Sequence, residues 1–236
     1  MKAMILAAGR GERMRPLTDE CPKPLLKVRG RPLIVWHILN LVRAGINEIV
    51  INLHYKGEMI EAALGDGRQF GAKIRYSHES SLLETAGGIA HALPLLGENP
   101  FVCVAADVYC PHFEFSQVTS ALQDADMWGK PYLPDERDIG WLYLVQNPAH
   151  NPQGDFAMKL YSLANEGEHR FTFSGIGVYR PEMFAAVQTG EAARLVTLFR
   201  QFAARGMLGG ELYPGLWADV GTPDRQAELN AHALPL

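Results

Sequence analysis

Four short runs of branched and apolar residues, each followed by a stretch with helical spacing, restrict this chain more than any other feature. The runs lie at 2–8, 48–53, 72–77 and 101–106, the last reading Phe101-Val102-Cys103-Val104-Ala105-Ala106. Apolar spacing predicts helices over 32–44, 57–64 and 86–96, with Gly45 placed to end the first. Strands that read as unbroken apolar runs are buried on both faces, and the intervening helices supply the two covering layers. The expected class is therefore α/β, with a doubly wound, mostly parallel, Rossmann-like sheet. Beyond residue 107 the pattern loosens. "WGKPYLPDERDIGW" (128–141) and "QNPAHNPQGDF" (146–156) separate predicted strands at 140–146 and 171–179. Helical spacing returns at 181–188 and 192–205, and 223–233 reads as a closing helix. A single domain over 1–236 is expected, its first half ending near 110 and its second, 111–236, completing the sheet edge and adding a small lobe.

In such sheets ligands bind at the carboxyl ends of the strands, and the first strand runs straight into "MILAAGRGERMRPLTDECPKPLL", residues 4–26. Between 9 and 31 stand Arg10, Arg13, Arg15, Lys23, Lys27, Arg29 and Arg31 against Glu12, Asp19 and Glu20, a surplus of four positive charges in a chain of net charge -4. Cations interleaved with Gly9, Gly11, Pro16, Pro22 and Pro24 at a strand end suit an anion site. The acidic whole argues against nucleic acid or an acidic membrane as partner. Three cysteines without metal spacing fit a reducing cytoplasm. The N-terminus is charged too early for a signal peptide, and no apolar run reaches membrane-spanning length. The familiar phosphate loops are absent: nothing reads G-x-x-x-x-G-K-[ST], and Met14 stands where a dinucleotide fingerprint needs its third glycine.

"LAAGRGERMRPLT" followed by "PKPLL" resembles the signature of the sugar-nucleotide pyrophosphorylases. "LLETAGGIAHALPLLG", "NPAHNPQGDF", "FTFSGIGVYRPEMF" and "WADVGTP" extend the likeness to the branch that joins UTP to N-acetylmuramic acid α-1-phosphate. The resemblance implies a GT-A-like nucleotidyltransferase fold, a nucleotide-binding half at 1–110 and a sugar-binding half at 111–236. It implies that a sugar-phosphate oxygen attacks the α-phosphorus of a nucleoside triphosphate and pyrophosphate leaves. Ala8, Gly9, Gly11 and Glu12 then belong to the nucleotide loop. Arg13 matches the arginine at the triphosphate, and Lys23 the lysine at the α-phosphate. The base falls near Glu79, Thr85, Gly87 and Gly88, and the sugar near Asp155, Ser174 and Gly175. Asp107 and Asp219 match aspartates that hold Mg²⁺, which takes one or two carboxylates together with phosphate oxygens and water.

Each of these residues also has a plain structural reading. Asp107 ends a strand, Asp219 and Thr85 precede helices they could cap, and Asp155 sits in a turn. Two departures from the family pattern stand out: Ala105-Ala106 replaces Asn-Gly before Asp107, and Gln146-Asn147-Pro148 replaces Glu-Lys-Pro. No catalytic base is expected, since the second pKa of a sugar phosphate is near ~6, and His54, His91 and His150 are read as structural or surface groups. The expected partners are UTP and a sugar 1-phosphate, with no added repeat domain and hence a monomer. Two other readings stay open: transfer to another sugar phosphate, such as mannose 1-phosphate with GTP, and a nucleotide-sugar binding protein without turnover.

Overall fold

The computed structural model describes residues 1–118 and 138–231. Its strands are β1 (Ala3–Leu6), β2 (Lys27–Val28), β3 (Arg31–Pro32), β4 (Glu48–Leu53), β5 (Lys73–His78), β6 (Phe101–Ala105), β7 (Val108–Tyr109), β8 (Gly140–Val145), β9 (Phe156–Lys159), β10 (Ser162–Ala164), β11 (Arg170–Tyr179), β12 (Leu208–Leu212) and β13 (Ala218–Asp219). The helices are α1 (Leu17–Glu20), α2 (Leu33–Arg43), α3 (Gly57–Leu64), α4 (Glu84–Leu96), α5 (Leu195–Ala204) and α6 (Pro223–Ala231). All but two residues of the expected 223–233 helix are described, and most of the 128–141 cluster lies outside the described residues.

The central strands β1, β4 and β6 are almost entirely apolar because both faces are covered, whereas β5 at the sheet edge carries Lys73, Arg75 and His78. Successive side chains alternate across a sheet, so Ala3, Ile5, Ile49, Ile51, Val102 and Val104 face α2 and α3, where they meet Ile34, Ile38, Leu41, Ile60 and Leu64. Met4, Val50, Phe101 and Cys103 face the other way, against Ile89 and Ala92 of α4 and Leu198 and Phe199 of α5. The doubly wound α/β expectation is met in this respect.

The nine-stranded sheet runs β5-β4-β1-β6-β11-β8-β12-β10-β9. It is mixed. The order β5-β4-β1-β6 is parallel throughout, and β12 is parallel to β8. β11 enters antiparallel to β6 and β8, and its outer end pairs antiparallel with β9. The second half therefore extends the sheet with strands that return directly, without a crossover helix for each one. β11 is the long member. Its register shifts between Phe173 and Gly177, with Gly175 in the left-handed region at φ +83°. It reaches from the central sheet into the outer strands, so the residues at its bend lie where the two halves face each other.

The expected helix over 181–188 forms only as a single 3-10 turn at Pro181–Phe184. Met183 and Phe184 are buried in the core and fix that turn. The chain then leaves helical geometry so that Ala193 can exchange backbone hydrogen bonds with Leu83 and Ala86 at the start of α4. Tertiary pairing overrides the local spacing here.

Candidate functional site

The carboxyl ends of β1, β4, β5 and β6 open onto one cavity of about 980 Å³, closed on the other side by the 150–156 segment, the bend of β11, and Trp217 and Asp219. Of the residues expected at the site, Ala8, Gly9, Gly11, Glu12, Arg13, Lys23, Glu79, Thr85, Asp107, Asp155, Ser174, Gly175 and Asp219 line it. Gly87 and Gly88 do not.

The first loop is pinned from beneath. Met14 is fully buried among Leu26, Val28, Leu33, Tyr109 and Val220. The loop also folds on itself: the Met14 amide and the Thr18 hydroxyl both donate to the Gly11 carbonyl, at 2.9 Å each. Gly11 occupies the left-handed region at φ +64°. A Cβ there would stand 2.9 Å from Thr18 Cγ2 and 3.2 Å from Lys23 Cβ, whereas a Cβ on Gly9 would meet nothing within 4 Å. Gly11 is thus required by the turn and its packing, while Gly9 borders open cavity. Arg10 and Arg13 are exposed on the cavity wall, and neither has a carboxylate partner among the described residues.

Lys23 is buried and its Nζ lies 2.7 Å from Asp107 Oδ2. Pro22, at φ -63°, enters the short turn that carries it. Asp107 follows β6, and its carbonyl accepts from the Val220 amide at 2.8 Å. That bond extends the β7–β13 pairing, in which Asp219 stands opposite Val108. Two stretches more than a hundred residues apart in sequence thereby bring the two aspartates together. Asp219 Oδ2 receives Arg225 at 2.6 Å and Oδ1 receives His150 Nε2 at 3.2 Å. Gly221 leaves room for this group, since a Cβ there would stand 2.9 Å from both Asp219 Oδ2 and Arg225.

The metal question turns on this donor set. Among the described residues no cluster of three or more His, Cys, Asp or Glu side chains could hold an ion by itself. Two carboxylates on a cationic cavity do fit a Mg²⁺ that completes its shell with phosphate oxygens and water. Among the described residues Asp107 Oδ1 has no protein partner, and Asp219 holds two charged or polar neighbours that a cation would have to displace or share.

Behind β7 the backbone is anchored by α2. His37 is buried and its Nε2 meets the Val108 carbonyl at 2.9 Å, while Asn40 donates to the carbonyls of Cys110 and Pro111. Burial lowers the His37 pKa to about 4, against the smaller raising effects of that hydrogen bond and Asp107. The ring is neutral at pH 7 and donates through Nε2–H, because a carbonyl only accepts.

The expected base pocket needs correction in its detail. Glu79 is buried with both carboxylate oxygens engaged: Oε1 accepts from Asn52 Nδ2 at 2.7 Å and Oε2 from the Leu83 amide at 3.2 Å. Asn52 Oδ1 in turn accepts from the Ala7 amide at 2.9 Å. Glu79 therefore ties the 80–83 turn to the start of the first loop. Gly88 sits over this strut, where a Cβ would stand 2.5 Å from Glu79 Oε1. Gly87 packs on the Glu191 carbonyl and donates its amide to Ala193. Both glycines serve close packing behind the wall, and Glu84 and Thr85 are the groups of this segment that line the cavity.

On the opposite wall Asp155 is also a brace. Oδ1 accepts from Asn151 Nδ2 at 3.2 Å and Oδ2 from the Phe173 amide at 2.8 Å. Asn151 also donates to Thr172 Oγ1, Thr172 donates to Asn147 Oδ1, and Arg170 spends its guanidinium on the carbonyls of Gln153, Gly154, Asp155 and Asn165. Ser174 is buried at the bend, its hydroxyl accepting from the Ile176 amide and its carbonyl from Trp217 Nε1. Gly175 lies against Ala105: a Cβ there would stand 3.1 Å from Ala105 Cβ. The small residue that departs from the family pattern thus borders the β11 bend. Sequence reasoning missed His150 and Arg194 as cavity residues. His54 and His91 hydrogen-bond backbone carbonyls, in keeping with their structural reading.

The sequence profile of the nucleotidyl transferase family matches residues 2–130. An N-acetylmuramate alpha-1-phosphate uridylyltransferase of Neisseria meningitidis serogroup B is 50% identical over 237 residues, covering 99% of this chain and 98% of that protein. A protein of the same description from Caulobacter vibrioides is 33% identical over 98% of this chain and 95% of its own. A mannose-1-phosphate guanylyltransferase catalytic subunit beta of Xenopus tropicalis is 28% identical, and the match spans 62% of its length. Among solved structures, one described as a glucose-1-phosphate thymidylyltransferase from Bacillus anthracis superposes with a TM-score of 0.83 at 19% identity, covering all of this chain and 96% of that one. That likeness concerns the fold.

Proposed function

Because the chain belongs to the nucleotidyl transferase family, we propose that it transfers a uridylyl group from UTP to N-acetylmuramic acid α-1-phosphate, releasing pyrophosphate. The observation that carries this reading is a single cavity that gathers the basic first loop, Lys23–Asp107 and Asp219, in a chain half identical along its whole length to a uridylyltransferase of that description. An oxygen of the sugar phosphate forms the new bond to the α-phosphorus of UTP, and the bond from that phosphorus to the β-phosphate oxygen breaks. No proton need be removed, because a sugar phosphate is already largely dianionic at neutral pH. The chain's contribution is alignment and neutralisation of negative charge.

Arg10, Arg13 and the amides around Gly9 and Gly11 receive the β- and γ-phosphates. Lys23, held inward by Asp107, meets the α-phosphate, where charge shifts as the phosphorus changes geometry. Asp107 and Asp219 are the residues that would hold Mg²⁺. When bound, Mg²⁺ acts as a Lewis acid on phosphate oxygens. Thr85 and the 80–83 turn border the base, with Glu79 and Asn52 fixing that turn against the phosphate loop. Asn151, Thr172 and the β11 bend receive the acceptor sugar. Three free cysteines fit activity in a reducing cytoplasm, and among the described residues no helix is long and apolar enough to cross a membrane.

The direct test is pyrophosphate release. UTP with N-acetylmuramic acid α-1-phosphate and Mg²⁺ is expected to give it, EDTA to abolish it, and GTP with mannose 1-phosphate to be far poorer. Tight binding of the UDP-sugar with no turnover under any of these conditions would make the protein a nucleotide-sugar binder instead.

A further inference from the structure

The cavity's cations are unevenly placed. Arg10, Arg13 and Lys23 all come from the first loop, and Arg194 enters beside the start of α4, where Ala193 takes the Ala86 amide. The wall formed by residues 150–156 and 172–175 offers the hydroxyls of Thr172 and Ser174, the amide of Asn151 and one carboxylate, Asp155. Within that wall the Thr172 hydroxyl donates to Asn147 and the Asn151 amide to Asp155 and Thr172, while the His150 ring borders the cavity. His150 stands at the seam with the metal carboxylates, its Nε2 3.2 Å from Asp219 Oδ1 and its side chain 35% exposed.

The segment that presents it is held from every side. The Asn151 amide bonds the Pro148 carbonyl, the Asn147 side chain spans to Arg170 and Pro152, and Asn151 links Asp155 to Thr172. These bonds order the backbone on both sides of His150 and leave its ring facing the cavity. An acceptor arriving here brings a phosphate with nearly two negative charges, next to Asp107, Asp219 and Asp155. A donor on this side of the reacting phosphorus is needed to offset that repulsion, and charge-assisted hydrogen bonds are the stronger kind.

We propose that His150 is a substrate-contacting catalytic residue whose Nε2–H donates to the phosphate of the sugar 1-phosphate. This rests on the nucleotidyltransferase reading given above. Asp219 holds the ring at the cavity edge, and the phosphate takes over the donor as it docks. The first loop cannot supply this contact from its own side, because its cations are committed to the triphosphate.

The test compares wild type with His150→Ala and His150→Gln, whose amide keeps a donor. Initial rates are measured at varied UTP and at varied N-acetylmuramic acid α-1-phosphate, and calorimetry measures binding of that sugar phosphate with Mg²⁺ and a non-hydrolysable UTP analogue. His150→Ala is expected to lower kcat/KM for the sugar phosphate about 10- to 100-fold, the range of one hydrogen bond to a charged group, and to weaken its calorimetric binding. The KM for UTP should stay within about twofold, a range allowed for ordinary surface changes, and His150→Gln should recover most of the loss. Equal movement of both substrates' constants, or no movement, would overturn the proposal. Parallel loss in the Ala and Gln variants, together with a lowered Tm, would reassign His150 to holding the segment. Wild-type protein without pyrophosphate release on any sugar phosphate would remove the underlying reading itself.

Discussion

The two walls of the cavity are built by different means. The wall proposed to take the nucleotide is made of strand ends and one compact loop, in which neighbouring residues supply the geometry: Gly11 sets the turn, Thr18 and Met14 close it, and Pro22 presents Lys23. The wall proposed to take the acceptor is made of side chains that hydrogen-bond across long separations, with Asn147, Asn151, Asp155, Arg170 and Thr172 forming one network. A wall shaped by backbone fails when its backbone is forced, and a wall shaped by a network fails when one member is left unpaired. Each should therefore break for its own substrate.

The largest effect falls where the walls meet. Asp107→Asn and Asp219→Asn are each expected to lower kcat at least ~100-fold, the scale of losing one preorganised electrostatic element, with the fold retained by circular dichroism. Near-normal turnover at saturating Mg²⁺ in either variant would remove that residue from the metal site. Next comes the nucleotide wall. Gly11→Val places a β-branched residue at φ +64° with its Cβ against Thr18 and Lys23. At about 1–2 kcal/mol for the left-handed strain alone, a rise in the KM for UTP of about tenfold or more is expected. Gly9→Ala, opening onto free space, should perturb the loop less; if it proves the more damaging, phosphate approaches more closely at Gly9 than at Gly11.

Smaller effects are expected across the acceptor wall. Asn151→Ala leaves Asp155 Oδ1 and Thr172 short of a partner and should lower kcat/KM for the sugar phosphate by about five- to thirtyfold, on the scale of one to two kcal/mol for an unpaired group. The UTP constants should hardly move; a shift in both would merge the two walls into one unit.

The smallest effect lies behind the site. His37 binds its proton less readily folded, at about 4, than at its ordinary value of 6.5. Between these values the unfolded chain carries the extra proton, so stability falls as pH drops below 6.5 and the contribution is intact at pH 7. Between pH 7 and 5.5 this amounts to about 1 kcal/mol. Urea titrations of wild type and His37→Gln should differ by that slope, the variant being flatter; parallel curves would contradict the assignment.

What was legible in sequence follows the same division. The parallel strands announced themselves because both faces are buried, so runs such as Phe101–Ala105 carry no polar interruption. The first loop was legible because Gly, Pro and cations act within two dozen residues. β12, reading Leu-Gly-Gly-Glu-Leu, was not predicted: glycine is poor in strands, yet a Cβ on Gly209 would stand 2.5 Å from the Trp141 ring and one on Gly210 the same distance from the Leu142 carbonyl. Its glycines are there for the neighbour, which lies far away in sequence. Glu79 and Asp155 are named from the sequence and line the cavity, but their bonds to Asn52, Leu83, Asn151 and Phe173 depend on strand register that spacing does not encode. His150 reads as a structural or surface group because a lone histidine in a proline-rich segment carries no local signal. Only its approach to Asp219 gives it one.

In the proposed reaction the acceptor wall is shaped for N-acetylmuramic acid α-1-phosphate while the nucleotide wall delivers UTP. The most direct measurement of that fit is kcat/KM for pyrophosphate release with UTP across the 1-phosphates of N-acetylmuramic acid, N-acetylglucosamine, glucose and mannose. A site that hydrogen-bonds the lactyl group rejects acceptors lacking it, because its own polar groups are then left unpaired. The N-acetylmuramic substrate is expected to exceed every other acceptor by at least about tenfold, the loss of one such hydrogen bond. Equal kcat/KM for the N-acetylmuramic and N-acetylglucosamine phosphates would contradict this reading.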